Sequence, residues 1–329
     1  MTQIGYQASH EQFPPDLLMD YVRKAEKAGF KAVLSSDHFH PWSKRQGNSG
    51  FALTWLGAAM QATDLQFGIV TVPGYRYHPA ILAQAVATLE NIFPGRFFLT
   101  LGSGEALNEH IVGGDWPNKS TRNVILRESV EVMRRLWTGE EVTHGGNITV
   151  DQAKLYVPLS HIPDIIGAAL SESTAHWMGS WADGLITTAR PIDDLKNMVA
   201  AFQANGGVGK RLILKADLSY DQNYEDALQG AYDQWMNTLL SSTVVEDIKT
   251  TEYFDLLGNQ VSMETLKKSV KISADLREFV DWIQELASLG FEKIILHNVN
   301  RKQDQFIEAF GFHVLPELAK SFETYVVPK

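Results

Sequence analysis

The 329 residues contain no cysteine, which excludes disulfides, thiolate metal sites, iron–sulfur clusters and a cysteine nucleophile. No run of 18 apolar residues is free of charge, so no membrane-spanning helix is encoded. The opening MTQIGYQASHEQF lacks a basic segment followed by an apolar run, and the expected location is the cytoplasm. Positive charge is sparse as well: 29 Lys and Arg stand against 39 Asp and Glu, for a net charge of −10. The basic residues are scattered instead of forming the stripe that a phosphodiester backbone attracts, which argues against a nucleic-acid partner. With thiols absent, any redox chemistry has to come from a bound organic cofactor.

The chain has ordinary globular composition, 44% hydrophobic and 21% charged, without a low-complexity tract. Short apolar runs alternate with longer amphipathic segments throughout, the pattern of βα units around a parallel sheet. Eight strands are expected at 2–7, 31–36, 65–71, 96–101, 164–168, 183–187, 211–218 and 292–298. Helical patterns fill the intervals at 14–28, 50–62, 79–93, 119–138, 171–182, 192–204, 223–240 and 275–289, with a further stretch from 301. Pro or Ser at the openings and Gly29, Gly139 and Gly290 near the closings fit helix start and stop chemistry. Eight such units fit one closed (β/α)8 TIM barrel over residues 1–329, and no G-x-G-x-x-G follows the first strand. Two stretches break the repeat. Residues 140–163 alternate around Gly145-Gly146 and predict an inserted hairpin, and 241–274 form a polar, weakly periodic insertion of the kind used as a lid or binding segment.

In a barrel the chemistry sits at the C-terminal strand ends. The second strand runs into Ser36-Asp37-His38-Phe39-His40-Pro41-Trp42, where two imidazoles, a carboxylate and an indole can serve acid/base work and cover an aromatic ring; a solvated loop plugged by Trp42 is the equal alternative. The fourth ends in Gly102-Ser103-Gly104-Glu105-Ala106-Leu107-Asn108. Its glycines admit a planar ligand, and Glu105 can protonate a ring nitrogen or simply sit at a helix N-terminus favoured by the dipole. After the third strand, Val72 to Pro79 is dense in aromatics and suits the wall of a ring slot. The fifth strand leads through Gly167-Ala168-Ala169 to Ser171 at a helix opening, a place for a phosphate or for ordinary capping, with Thr187, Thr188 and Arg190 of the sixth nearby.

GYQASHEQF, SDHFHPW, RYHPAILAQAVATLENIFPGRF, GSGEALNEH, RESVEVMRRLWTGE and ADGLITT together resemble the luciferase-like monooxygenase superfamily. The likeness is dense over 1–190 and is greatest to the group of F420-dependent glucose-6-phosphate dehydrogenase. It implies a flavin- or deazaflavin-dependent oxidoreductase. The ring contact then falls on Asp37, the catalytic base on His38, the stacking indole on Trp42, and the ring-N1 partner on Glu105 with Asn108 nearby. A cis peptide is implied at about Ile69-Val70, and the phosphate end near Gly167, Ala168, Ala169, Thr187 and Thr188, with Gly104 beside the ring. The chain departs from the group at Ala168-Ala169, where a Gly-Gly pair is expected, and at Pro191, where a lysine is expected. The first departure puts the phosphate-tail geometry in question, and the second, with the altered 241–274 region, puts glucose 6-phosphate in question. The ASHEQF start and the GAALSESTAHW segment most resemble a non-F420 flavin-dependent branch of the group, which places FMN ahead of coenzyme F420 as the expected cofactor.

Other readings stay open at this point. They are an oxygen-using monooxygenase on the same scaffold, a flavin-binding barrel without turnover, and a metal-dependent hydrolase built on His38-x-His40. The last lacks the further ligands such sites need, since the fifth and sixth strand ends carry no imidazole and only His297 stands at the eighth; no metal is expected. A small-molecule substrate and a homodimer are the expected partners.

Overall fold

The computed structural model describes residues 2–157, 159, 161–240 and 242–324. Eight parallel strands form the barrel wall: β1 (Gln3–Ala8), β2 (Ala32–Ser36), β3 (Gln66–Thr71), β4 (Phe97–Leu101), β5 (Ile165–Ala168), β6 (Gly184–Thr188), β7 (Arg211–Tyr220) and β8 (Lys293–Asn298). Each pairs with the next in chain order, and β8 pairs back onto β1 from Gln3↔Lys293 to Tyr6↔Leu296, which closes the ring. All eight expected strands are present within one or two residues of their sequence bounds.

Strand periodicity sorts side chains into two sets. Ala32, Leu34, Phe98, Ile166, Ile186, Ile213 and Ile295, with Val70 and Ala168 against them, fill the barrel axis. Their neighbours, such as Val33, Ile69, Leu99, Ile165, Leu185 and Leu214, pack outward against the helices in the main core. Each fully buried side chain of this kind contributes about 1.5–3 kcal/mol. Size is complementary across the axis: Gly68 lies opposite Phe98 in the β3–β4 register, and a Cβ on Gly68 would stand 2.1 Å from the Phe98 ring. The helices end as their sequences dictate. Pro15 opens Pro15–Ala28, and Gly29, at φ 103°, closes it with its N–H directed to the Ala25 and Glu26 carbonyls.

The hairpin forms as Val142–Gly145 paired antiparallel with Thr149–Ala153; Pro158 and Ser160 of the expected 140–163 insertion lie outside the described residues. The expected insertion at 241–274 is present, with Ser241 outside the described residues. Short helices occupy Ser242–Val245, Thr251–Gly258 and Met263–Ser269, and Lys271–Ser273 adds a strand beside β7. Thr250 and Ser262 cap two of these helices by accepting the N–H of Tyr253 and Thr265. Each helix is too short to show its period in the sequence. No cis peptide is present among the described residues, so the Ile69–Val70 bond is trans, contrary to the expectation. No helix among them is long and apolar enough to cross a membrane.

Candidate active site at the barrel mouth

His38 follows β2 and is held from two sides. Asn108 accepts the backbone N–H groups of Phe39 at 2.9 Å and His40 at 3.1 Å through Oδ1, which fixes its amide, and Nδ2 then donates to His38 Nδ1 at 3.0 Å. The neutral ring therefore carries its proton on Nε2, which faces Glu11 Oε1 at 3.3 Å. Glu11, in the loop after β1, is 3% exposed and accepts Ser36 Oγ at 2.5 Å and Ser9 Oγ at 3.0 Å. Burial alone would raise its pKa, but His38 and these donors outweigh burial and hold it below the ordinary value, so it is a carboxylate at neutral pH.

Trp42 lies over His38 with ring centroids 4.9 Å apart and meets Phe254 of the insertion edge-on at 5.0 Å. It packs against the small apolar cluster of Leu107, Val245, Ile248 and Phe254, so it is both a mouth aromatic and the seat on which the insertion rests. His38 and His40 turn apart. His40 Nδ1 donates to Leu107 O at 2.9 Å, and its ring lies beside that of His110, so the two imidazoles have different partners.

Glu105 lies across the mouth, partly exposed, in extended geometry at the start of the short helix Ala106–Glu109. It stands at the N-cap of that helix, as the expected helix-terminal acid would, and makes no capping hydrogen bond. Burial of the carboxyl, then the nearby Glu246 and Glu109, push its pKa up to about 8. Gly104 before it has φ +89°, and a Cβ there would meet Trp116, Val72 and Glu109 at 3.1 to 3.4 Å. Gly102 lies next to Ala168, and a Cβ there would be in ordinary contact with the Ala168 Cβ at 3.8 Å.

Several expected contact residues point elsewhere. The Asp37 carboxylate is fully engaged: Oδ1 accepts Tyr77 OH at 3.0 Å, and Oδ2 accepts Thr71 Oγ1 at 2.6 Å and Arg76 Nη2 at 3.3 Å. It is an anchor with no free oxygen for a ring. Ile69 belongs to the outer core, Gly167 backs onto Met178, and Ala169 and Thr187 are buried away from the axis. Their period-two neighbours Val70, Ala168 and Thr188 are the ones on the inner face. Ser171 caps Glu172–Gly179, accepting Thr174 N at 3.3 Å. Arg190 reaches Leu170 O at 3.2 Å and Thr188 Oγ1 at 3.3 Å.

Sequence reasoning missed four features. Glu11 stands in the quoted GYQASHEQF segment, and its place just past a strand end was the available signal. Arg76 joins the loops after β2, β3 and β4 through Asp37 and Glu109. Glu246 comes from the insertion. A fourth set, His297 with Nδ1 2.9 Å from Asp217 and Nε2 2.9 Å from Gln12 Oε1, lies on the β7–β8 side with Lys215 and Trp235. Burial, then Lys215, push the His297 pKa down; Lys215 and His297 together hold Asp217 well below the carboxylate range against its own burial.

The floor of the mouth leaves Gln7 Oε1 and Thr100 Oγ1 buried without a partner. Native interiors rarely leave such atoms unpaired. The two atoms fit a ligand that brings hydrogen-bonding edges to the mouth.

Known proteins agree with this architecture. The chain is 36% identical over 331 residues to the F420-dependent glucose-6-phosphate dehydrogenase of Segniliparus rotundus, covering 96% of this chain and 98% of that one. It is 33% identical to the enzyme of that name from Microbacterium testaceum, covering 97% and 98%. A solved F420-dependent secondary alcohol dehydrogenase bound to an F420–acetone adduct superposes with a TM-score of 0.89 at 31% identity over 96% of this chain and 99% of that one. A riboflavin lyase bound to a modified FMN, at 15% identity and TM-score 0.77, shares the fold. The family profile described as luciferase-like monooxygenase matches residues 1–267, and this chain is a member of that family, an oxidoreductase of the flavin- and F420-dependent kind.

Proposed function

We propose that this protein is an F420-dependent dehydrogenase that oxidises the hydroxyl group of a small organic substrate. The observation that carries the reading is the Glu11–His38–Asn108 arrangement under Trp42, at the same barrel mouth as the Gly102–Glu105 loop. F420 takes precedence over FMN, reversing the order expected from the resemblance to a non-F420 flavin-dependent branch. The relatives above 30% identity described here are named for F420, and the FMN-bound structure resembles the chain in fold alone.

When bound, the cofactor supplies a hydride acceptor. Val70, Gly102, Gly104 and Ala168 would wall its ring, and Thr188, Arg190 and the N-terminus of Glu172–Gly179 would hold its anionic end. The protein's own part is the proton. With Asn108 on Nδ1 and the proton on Nε2, the neutral His38 ring has no free lone pair. The substrate's hydroxyl proton passes to the Glu11 carboxylate, while His38 Nε2–H donates to that carboxylate and orients it, so Glu11 and His38 form the base together. Trp42 covers them and excludes water.

Absorbance titration of the purified protein with F420 and with FMN, followed by anaerobic reduction with a panel of alcohols and sugar phosphates, tests this. F420 should bind more tightly and be reduced by an alcohol. Tighter FMN binding, with F420 inert toward every alcohol, would reject it. A homodimer is also proposed, and light scattering after size exclusion should give twice the chain mass.

A further inference from the structure

Two carboxylates fasten the insertion at the mouth: Asp255 accepts Ser43 Oγ at 2.6 Å and Lys44 N at 3.1 Å in the loop after β2, and Glu246 holds the side of β4. Glu246 accepts Lys119 Nζ at 2.8 Å and pairs with Arg122, whose guanidinium lies over Trp116 and donates to Pro117 O at 2.8 Å. The same Lys119 Nζ donates to Ser103 Oγ at 2.9 Å, and Glu246 O accepts the N–H of Ala106 at 2.9 Å. All three ties run to the β4 loop and the helix after it, on both sides of Glu105.

Four ionisable groups face Glu105: Glu246 from the insertion, Glu109 from its own short helix, Lys119 from the next helix, and Glu11 from the loop after β1. Glu109 is neutralised in part by Arg76 at 3.0 Å, whereas the one cation near Glu105 is shared with Glu246. The like charge beside Glu105 is thus delivered by the segment that closes over it.

We propose that Glu246 is a positioning residue that couples closure of the 244–258 insertion to the charge carried by Glu105. Latched, the insertion sets a carboxylate beside Glu105 and keeps water from it, and Glu105 holds its proton. Released, it withdraws both effects and Glu105 ionises. The catalytic meaning rests on reading Glu105 as the group at the cofactor's edge, but the coupling is a property of the cofactor-free chain.

The test is a carbon-13 NMR titration of cofactor-free protein labelled at glutamate Cδ, with Glu105→Gln assigning the signal and amide exchange at Ala106 reporting closure. Wild-type Glu105 should titrate near pH 8. Glu246→Gln keeps an oxygen for Lys119 and Arg122 but removes the charge. It should move the midpoint down by about one pH unit, raising the ionised share at pH 7 from about a tenth to about a half. Glu246→Asp, which keeps the charge, should titrate close to wild type. A midpoint in Glu246→Gln unchanged from wild type, or an equal shift in Glu246→Asp, overturns the proposal. If the shifts are as stated but Glu105→Gln binds cofactor and turns over like wild type, the coupling stands and the cofactor-edge reading falls.

Discussion

Arg76 offers the sharpest test of how the mouth is built. Its guanidinium is 7% exposed at the side chain, sits 3.0 Å from Glu109 and 3.3 Å from Asp37, donates to Asp37 O at 3.0 Å, and stacks on Tyr77 at 5.0 Å. Both carboxylates are almost wholly buried, so Arg76→Met leaves two unpaired acids in the interior. Breaking a buried pair from one side costs about 3–5 kcal/mol. Because two carboxylates lose their partner, the upper part of that range is expected at pH 7.5. The penalty must depend on pH. Burial already holds the Glu109 pKa above its ordinary value even with Arg76 present, and without Arg76 it rises further. An acid whose folded pKa is raised destabilises the fold as pH climbs from the unfolded pKa through the folded one, so the variant should recover stability relative to wild type as pH falls toward 5. Urea unfolding of both proteins at pH 7.5 and pH 5 measures this, and Arg76→Met with Glu109→Gln should regain part of the loss. A penalty below about 1 kcal/mol, or one equal at the two pH values, would refute the claim that Arg76 is the buried counter-charge of the three loops.

Glu105→Gln should become progressively more stable than wild type between the ordinary carboxyl value of 4.5 and about 8, because a raised folded pKa costs wild type stability over that window; thermal melts across pH check the sign. Replacing His38 by Ala should lower turnover by about 10²–10⁴-fold while cofactor affinity stays within a few fold, and Glu11→Gln should fall in the same range if the two act as one base. A Glu11→Gln enzyme at full speed would leave His38 acting alone. Trp42→Ala should cost about 1–3 kcal/mol and raise hydrogen exchange across Thr251–Gly258, since the indole supports Phe254 as well as covering His38. Unchanged exchange there would confine Trp42 to the substrate side.

The sequence by itself determined the barrel. Runs such as KAVLSS and EKIILHN are strands because β-branched and apolar residues recur over the length a strand spans, bounded by glycine and charge. The intervening segments announce helices by their caps and period, as Pro15 and Gly29 do at the two ends of one helix. It also put His38, Trp42, Glu105 and Asn108 just after the second and fourth strands, and all four stand at the mouth. What it left undecided was facing and partnership. A one-residue difference in register separates Val70 from Ile69, Ala168 from Gly167 and Thr188 from Thr187, and only the closed sheet shows which of each pair looks inward. Asp37 reads like a ligand contact until Thr71, Arg76 and Tyr77 consume its oxygens. Glu11 and His38 are 27 positions apart, and Glu246 and Lys119 are 127 apart. Local propensity carries no information about such pairs, because their attraction exists only once strand closure has brought the loops together. The tertiary structure therefore decided which carboxylate stands beside His38, which charge faces Glu105, and that the polar stretch before the last strand folds as a helical roof resting on Trp42.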